Sequence, residues 1–562
     1  MNNNIWLDGM MGLVTGDALG NPVQFMEREE VRSRGNVVSM EAGGAYNTPA
    51  GTWTDDSSMA LATLDSIREI GTVVPEDIML GFVKWYCYGE YTPFGEAFDM
   101  GNTCSQAIIN FTKNADWKTC GLTGEWANGN GALMRILPVC IHFMERRMNG
   151  EIVSDEEALT GIHQVTALTH NHLRARIAGG LYFFMAWELK NGGGDLRTRL
   201  QRGINKGFAY YRQDVRNLVE LSHFTRIHDL RAFIGTQEKD ISSSGYVIST
   251  LEAAVWSLIT TDNFKDCLIK AVNLGDDADT VGAVAGSLAG LYYGYDQIPE
   301  GWLQAIQRRE WIEDLCTSDY TTQIPVAEIH VHLIPGIDDG SQNMEMTMQM
   351  IRSEYRQGVQ AIICTPHADG LIYQDQLQAG WKEIQNRCRE EFPDLKLGLG
   401  CEIYLTPEYL ADSLDLLKKG ILLTLNGTRH VLVEFPQDGI PFEEIQECIR
   451  GLTGAGWLPV IAHAERYDKS YRSIDDIRWL KENGCRIQIN IYSIKEDISK
   501  QRRTLTRQML EEKLVDFLGT DSHRMNHRPP RIVNGIKELS RIIAPEYLKQ
   551  IVWGNVQLYF GL

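Results

Sequence analysis

In the first 318 residues apolar positions recur with helical spacing in long runs rich in Ala, Leu and Met, at 57–70, 168–187, 248–260 and 281–293. Pro- and Gly-containing stretches separate these runs and clear strand alternation is rare, so the pattern predicts an all-α bundle over 1–318. The texture changes after Thr317. A short polar segment, SDYTTQIP, leads into the strand-like AEIHVHLI. Apolar, β-rich runs then recur at 328–332, 361–365, 396–404, 430–435, 458–463, 485–491 and 514–520. Segments of helical composition, such as 343–357 and 442–454, lie between most of these seven. Strands alternating with helices predict a parallel α/β sheet or barrel over 327–562, with 319–326 as the linker.

Composition narrows the function classes. A chain of 562 residues, 43% hydrophobic and 23% charged, can bury several cores without staples. Its net charge is −20, with 26 basic against 41 acidic residues through position 326 and 28 against 33 after it. That balance counts against duplex nucleic acid and anionic membranes as partners. Eleven cysteines, odd in number and never spaced as CxxC, predict reduced thiols and a cytoplasmic chain. The start, MNNNIWLDGMMG, lacks the basic and apolar regions of a signal peptide, and no apolar run is long enough for a membrane span.

In the second half, metal-ligand residue types gather at the ends of the predicted strands. His330 and His332 are two apart on one strand, so their rings share a face. Asp339 follows in IDDG, and His367 closes the second strand in TPHAD. Glu402 lies in the third strand, Glu434 ends the fourth and His463 ends the fifth. Asp521 and His523 end the seventh, in GTDSH. Barrel active sites are built at that face, from the ends of several strands. Any one of these histidines could be a packed core residue, but five of the seven after position 326 fall at strand ends together with acids. A metal centre is the better reading.

The motifs EIHVHLIPGIDDG, ICTPHADG, GCEIYL, VEFP, PVIAHAERY and LGTDSHRMNHRPP make 327–562 resemble the polymerase-and-histidinol-phosphatase (PHP) superfamily. The nearest branch is that of the bacterial tyrosine-protein phosphatases of capsule and exopolysaccharide systems. The resemblance implies a distorted (β/α)7 barrel holding three divalent ions, Mn²⁺ ahead of Fe or Zn²⁺. By motif, His330, His332, Glu402 and Asp521 would hold one ion. His367, Glu402 and His463 would hold a second, and Asp339 and His523 the third. Arg466 and Arg528 match the family's phosphate-binding arginines. The family usually has Pro after the histidine of AHAER, a departure that touches loop rigidity. Mixed imidazole and carboxylate ligands suit such ions. Clustered divalent ions favour phosphomonoester hydrolysis without a cysteine nucleophile, and Cys364 is read as core packing.

The first half offers carboxylates instead. Thr54, Asp55 and Asp56 in GTWTDDSSM begin a helix, as do Asp277, Asp279 and Thr280 in NLGDDADTVGAVAG. Either segment alone could be a helix cap. Asp276, Asp277 and Asp279 together, however, crowd three charges that a cation would offset. All-oxygen sets favour Mg²⁺, Ca²⁺ or Mn²⁺. The motifs GLVTGDALGNPVQF, GTWTDDSSMAL, GNGALMRILP, ALTHNH, SSGYVISTLEAAVWSL and NLGDDADTVGAVAGSLAGLYYG resemble those of ADP-ribosylglycohydrolases, in family order over roughly 9–302. The resemblance implies an all-α fold with two Mg²⁺ ions. Thr54, Asp55, Asp56 and Asp279 would hold one, and Asp277, Asp279 and Thr280 the other. Asp55 and Asp56 would be catalytic, while Gly129, Asn130 and Gly131 would meet the ligand through backbone. His170 is read either as a cleft residue that binds substrate or as a packed core histidine. Two departures stand out: Gln24 where many relatives carry an acid, and Asp276 in GDDADT, which could compensate for that acid.

Together these features predict a bifunctional hydrolase. The first domain would cleave an N- or O-glycosidic ADP-ribosyl bond, and the second would remove phosphate from phosphotyrosine or a phosphorylated ADP-ribose derivative. Substrates would be ADP-ribosylated or phosphorylated proteins or small molecules. The alternative keeps only the phosphatase, with the first domain an ADP-ribose-binding module marked by Gln24.

Overall fold

The computed structural model describes residues 4–369, 374–494 and 500–562. The chain forms two compact units, Met1–Ser318 and Asp319–Leu562.

Among the described residues, the regular elements of the first unit are all helices. Ile5–Gly20 and Ala278–Tyr293 are buried along almost their whole length and pack on each other. Gly16 makes that approach possible, because a Cβ there would lie 1.9 Å from the Gly282 carbonyl oxygen. The close crossing brings Asp17, near the end of one helix, beside Asp279, at the start of the other. A third helix, Asp55–Ile70, begins at the N-cap Thr54 and ends on left-handed Gly71. The predicted run 168–187 is corrected: helices Asp155–Ala167 and Leu173–Asn191 are separate. The His172 side chain accepts from the Arg174 amide and starts the second of them, leaving His170 in the turn between. The other predicted helices shift by at most three residues.

The second unit is parallel α/β. Its strands are β1 Val326–Val331, β2 Val359–Cys364, β3 Lys396–Leu399, β4 Glu402–Tyr404, β5 His430–Glu434, β6 Leu458–Ile461, β7 Arg486–Asn490 and β8 Phe517–Gly519. They form two parallel sheets in the order β1-β2-β3 and β4-β5-β6-β7-β8. Eight strands thus replace the seven predicted, because 396–404 is split. Gly400 still donates to Cys364 of β2, whereas β4 pairs with β5, so the chain changes sheets at 400–401. Val326 belongs to β1, one residue earlier than the predicted boundary. The Asp521 amide donates to the His330 carbonyl and the His332 amide to that of Ser522, tying the segment after β8 to the end of β1. Ala327, Ile329, Ile363, Leu432, Val460 and Phe517 fill the core, with Val556 and Phe560 against them.

Candidate active sites

In the first unit the local structure is built around Asp17. Its carboxylate accepts from the Thr54 amide at 3.0 Å, the Ser57 amide at 3.0 Å and the Ser57 hydroxyl at 2.5 Å, fixing the start of helix Asp55–Ile70. Burial still pushes Asp17 up to about 7. Asp56 Oδ2 accepts the hydroxyls of Thr54 at 3.1 Å and Thr280 at 3.3 Å, joining the two predicted segments. Asn130 donates to Asp277 at 2.5 Å and to Thr250 at 2.9 Å. A cavity of about 330 Å³ is lined by Asp55, Asp56, Asp99, Asp277, Asp279 and Thr280, with Gly129, Asn130, Gly131 and His170 also lining it.

The electrostatics of this cavity call for cations. Asp56 Oδ1 and both oxygens of Asp279 are buried without a hydrogen-bond partner. Burial and the neighbouring carboxylates raise Asp55, Asp56 and Asp279 well above the ordinary range. Buried, unpaired oxygens of one sign are costly unless an ion takes them, and an all-oxygen donor set fits Mg²⁺, Ca²⁺ or Mn²⁺.

His170 lies at the cavity as a neutral ring. Burial and then the Arg135 charge push it down to about 3. Arg135 donates to Thr169 Oγ1 at 2.6 Å, and that hydroxyl is 2.8 Å from His170 Nδ1. Arginine can only donate, so the hydroxyl accepts from it and still has its one proton to give; given to Nδ1, that proton would leave the ring proton on Nε2. Asp276 does not compensate for Gln24. Its side chain is exposed and does not line the cavity, while its backbone pairs with Phe25 and Met26. The acid near Gln24 is Asp99, which accepts from Gln24 Nε2 at 2.6 Å and the Tyr46 hydroxyl at 2.8 Å.

In the second unit the strand ends bring together nearly every predicted ligand. Three overlapping groups form: His332, Asp339, His367 and His523; His330, His332 and Glu402; and His367, Glu402 and Glu434. His463 Nε2 lies 3.0 Å from Glu402 Oε1, and Asp521 Oδ1 lies 3.6 Å from both His330 and His332. Asp339 faces His367 as well as its predicted companion His523, each at 3.4 Å. Arg466 reaches Asp521 at 2.6 Å and Arg528 reaches it at 3.5 Å.

The ring nitrogens point the same way. His330 Nδ1 is 3.2 Å from Gln488 Oε1, His332 Nδ1 is 2.9 Å from Asp338, and His523 Nδ1 is 2.8 Å from the Asp521 carbonyl. These acceptors hold the Nδ1 protons, leaving Nε2 lone pairs aimed inward. His330 Nε2, His332 Nε2 and Glu402 Oε2 are buried without a hydrogen-bond partner, the arrangement of ligands oriented by outer acceptors. The mixed N/O donor set fits Mn²⁺, Fe or Zn²⁺. His463, Asp521 and Arg528 all hold positive φ, the strained backbone that clusters at functional sites. Cys364 is fully buried and its thiol is pushed well up by burial, which leaves no ready nucleophile there.

A family model described as ADP-ribosylglycohydrolase matches residues 6–328, and one described as capsular polysaccharide synthesis, CpsB/CapC, matches residues 326–560. The chain belongs to the ADP-ribosylglycohydrolase family and carries a CpsB/CapC domain after it. The ADP-ribosylarginine hydrolase Tri1 of Serratia proteamaculans (strain 568) is 33% identical over 310 residues, covering 54% of this chain and 76% of the relative. The ADP-ribosyl-[dinitrogen reductase] glycohydrolase of Rhodospirillum rubrum is 31% identical over 304 residues, covering 54% and 90%. The tyrosine-protein phosphatase CpsB of Streptococcus pneumoniae is 30% identical over 228 residues, covering 39% and 90%. Both halves of this glycohydrolase–CpsB/CapC chain therefore descend from enzyme families. No described helix is long and apolar enough to cross a membrane.

Four residues of these sites escaped the sequence patterns. Asp17, Asp338 and Gln488 orient other groups and carry no spacing of their own. Asp99 sits in an irregular loop, where only the three-dimensional path brings it to Gln24. Glu434, noted at a strand end but not assigned, joins His367 and Glu402 as the third member of their group.

Proposed function

We propose that the chain is a two-headed hydrolase. Its first unit cleaves the N-glycosidic bond between ADP-ribose and an arginine side chain, and its second hydrolyses phosphomonoesters, phosphotyrosine first among them. The similarity to ADP-ribosylarginine hydrolases and CpsB phosphatases supports the choice of substrates. The observation that carries the reading is the pair of buried donor sets, one all-oxygen and lining a cavity, one mixed and gathered at the strand ends, each with buried atoms that have no hydrogen-bond partner.

In the first unit, Thr54, Asp55, Asp56, Asp277, Asp279 and Thr280 would hold two Mg²⁺ ions, which supply Lewis-acid polarisation and an activated water. One of the Asp55 and Asp56 carboxylates would take a proton from the water that attacks the anomeric carbon, and as the C–N bond breaks that proton passes to the departing guanidine nitrogen. His170 donates from Nε2 to a ligand oxygen, and Asn130 keeps Asp277 in place. Gly129 and Gly131 leave room for the ligand to pass close to His170: a Cβ at Gly131 would lie 2.9 Å from the imidazole.

In the second unit, we take the two sheets as one distorted barrel with its ligands at the strand ends. Three divalent ions there, held by His330, His332, Asp339, His367, Glu402, Glu434, His463, Asp521 and His523, would supply a water of low pKa. Arg466 and Arg528 grip the phosphoryl oxygens and offset their growing charge. Asp338 and Gln488 keep the imidazoles in register.

Asp55→Ala and His330→Ala, made separately and assayed on an ADP-ribosylarginine peptide and a phosphotyrosine peptide, test both heads. Each variant should abolish one activity and spare the other. Loss of the same single activity in both variants would end the two-site reading.

A further inference from the structure

The Gln24 side chain is buried, and its two ends meet different surroundings. Nε2 donates to Asp99 at 2.6 Å, whereas Oε1 is buried without a partner at the cavity wall. The second Asp99 oxygen takes the Tyr46 hydroxyl at 2.8 Å. Both carboxylate oxygens are thus anchored, and the group is fixed in orientation in the cavity wall. Asp99 itself holds a left-handed φ of 58°, a conformation an aspartate tolerates better than most residues.

Two aromatic side chains, Phe25 and Tyr46, line the cavity together with this anchored carboxylate. Tyr46 and Phe98 meet edge to face at 5.3 Å, and Phe94 stacks on Phe98 at 5.9 Å. Phe25, which lines the cavity, is 60% exposed, so its ring is open to a ligand. A fixed carboxylate in one cavity wall with Phe25 and Tyr46 matches a planar cation, which pairs through its N–H groups and can stack on an aromatic ring.

Charge counting leads to the same ligand. Five carboxylates line the cavity: Asp55, Asp56, Asp99, Asp277 and Asp279. Two divalent cations would carry four positive charges against these five carboxylates, which leaves the cavity one negative charge for a cationic ligand, and Asp99 is the carboxylate already held by neutral donors. A carboxylate at position 24 would place a second like charge against Asp99, whereas the amide adds none and donates instead.

Resting on the ADP-ribosylarginine reading, we infer that Gln24 is a positioning residue that clamps Asp99 as the recognition group for the guanidinium of the leaving arginine. Gln24 therefore acts through Asp99, and its neutral side chain is a specificity device and not a loss of catalytic competence.

The test uses the full-length, Mg²⁺-loaded chain with Asp99→Asn, Gln24→Ala and the double variant. In Asp99→Asn, KM for an ADP-ribosylarginine peptide should rise by roughly ten- to hundredfold, the value of a charge-assisted contact, with kcat changed far less. Gln24→Ala should raise KM in the same direction, and the double variant should be no worse than Asp99→Asn alone. Agmatine, an alkylguanidinium, should raise the melting temperature of the parent and not of Asp99→Asn, a readout independent of turnover. Additive effects of the two substitutions, or no agmatine shift in the parent, would overturn the clamp. A parent that binds agmatine yet releases no ADP-ribose would instead refute the proposed activity and leave the clamp standing.

Discussion

The backbones of Gly16 and Gly282 touch: a Cβ at Gly16 would sit 1.9 Å from the Gly282 carbonyl oxygen. The obstruction is backbone on a buried helix, so it cannot swing aside. Gly16→Ala should therefore destabilise the glycohydrolase unit by about 1–3 kcal/mol or more, the cost of overpacking. Because Asp17 and Asp279 flank this contact, the separated helices should also bind Mg²⁺ less tightly. Gly124→Ala is the control, since nothing lies within 4 Å of a Cβ there and its φ is −71°. Thermal melting with and without Mg²⁺ compares them, and equal melting of the two variants would count against a packing role for Gly16.

The chain Arg135–Thr169–His170 makes a separate prediction. Thr169→Val keeps the shape but removes the hydroxyl, so Nδ1 of His170 loses its donor and the ring can place its proton there. A ring that no longer presents Nε2–H should raise KM for the ADP-ribosyl substrate about tenfold, a hydrogen bond's worth, with a smaller change in kcat. Thr169→Ser should restore both. Nitrogen NMR of the ring reports the tautomer directly. An Nδ1-protonated His170 in the parent would refute the relay.

Much of this architecture was legible in the amino-acid pattern, for reasons that also explain what was not. Helix Asp55–Ile70 and strand β5 announce themselves through periodicity, because one face or both must be buried. His330 and His332 are visible because a two-residue spacing on a strand is a geometric statement. The break before Leu173 was hidden, since the residues around it are apolar enough to continue a helix and only the His172 cap decides otherwise. The split of β3 from β4 was hidden likewise, because both sides of Gly400 are β-rich and the change of sheet depends on partners far along the chain. Choosing Asp339 alone from IDDG missed that Asp338 orients His332, a role set by direction and not by residue type. Asp99 lay beyond any local signal, since its partner Gln24 is 75 residues away.

The unpartnered carboxylates predict opposite signs with and without metal. In the metal-free chain Asp279 contributes repulsion, so Asp279→Asn should raise the melting temperature of chelator-treated protein. The same substitution should abolish the stabilisation by Mg²⁺, which for the parent reaches about 2.7 kcal/mol at a hundredfold excess over Kd. In the CpsB/CapC unit Asp338→Ala leaves every metal ligand in place but frees His332, and should weaken Mn²⁺ binding by about 10–100-fold. Calorimetric titration of the metal-free chains measures both. An Asp279→Asn chain still stabilised by Mg²⁺ to the parent's extent would remove Asp279 from the site.

Glu354 gives a pH dependence away from either metal site. It is fully buried on helix Met344–Arg356 and neither carboxylate oxygen has a hydrogen-bond partner. Burial, and Glu328 nearby, raise its pKa well above the ordinary value. The folded chain therefore keeps a proton that the unfolded chain gives up above about pH 4.3. Stability from this group is complete below that pH and is lost as pH rises toward the folded pKa, by up to about 1.4 kcal/mol per unit. Glu354→Gln keeps the shape without the ionisation and removes that loss. Relative to the parent, the variant should melt at nearly the same temperature at pH 4 and at a higher one at pH 8, in chelator at both. A difference that is equal at the two pH values would mean that folding leaves the Glu354 pKa unchanged, and a variant that melts below the parent only at pH 8 would mean that Glu354 is ionised beside a cation.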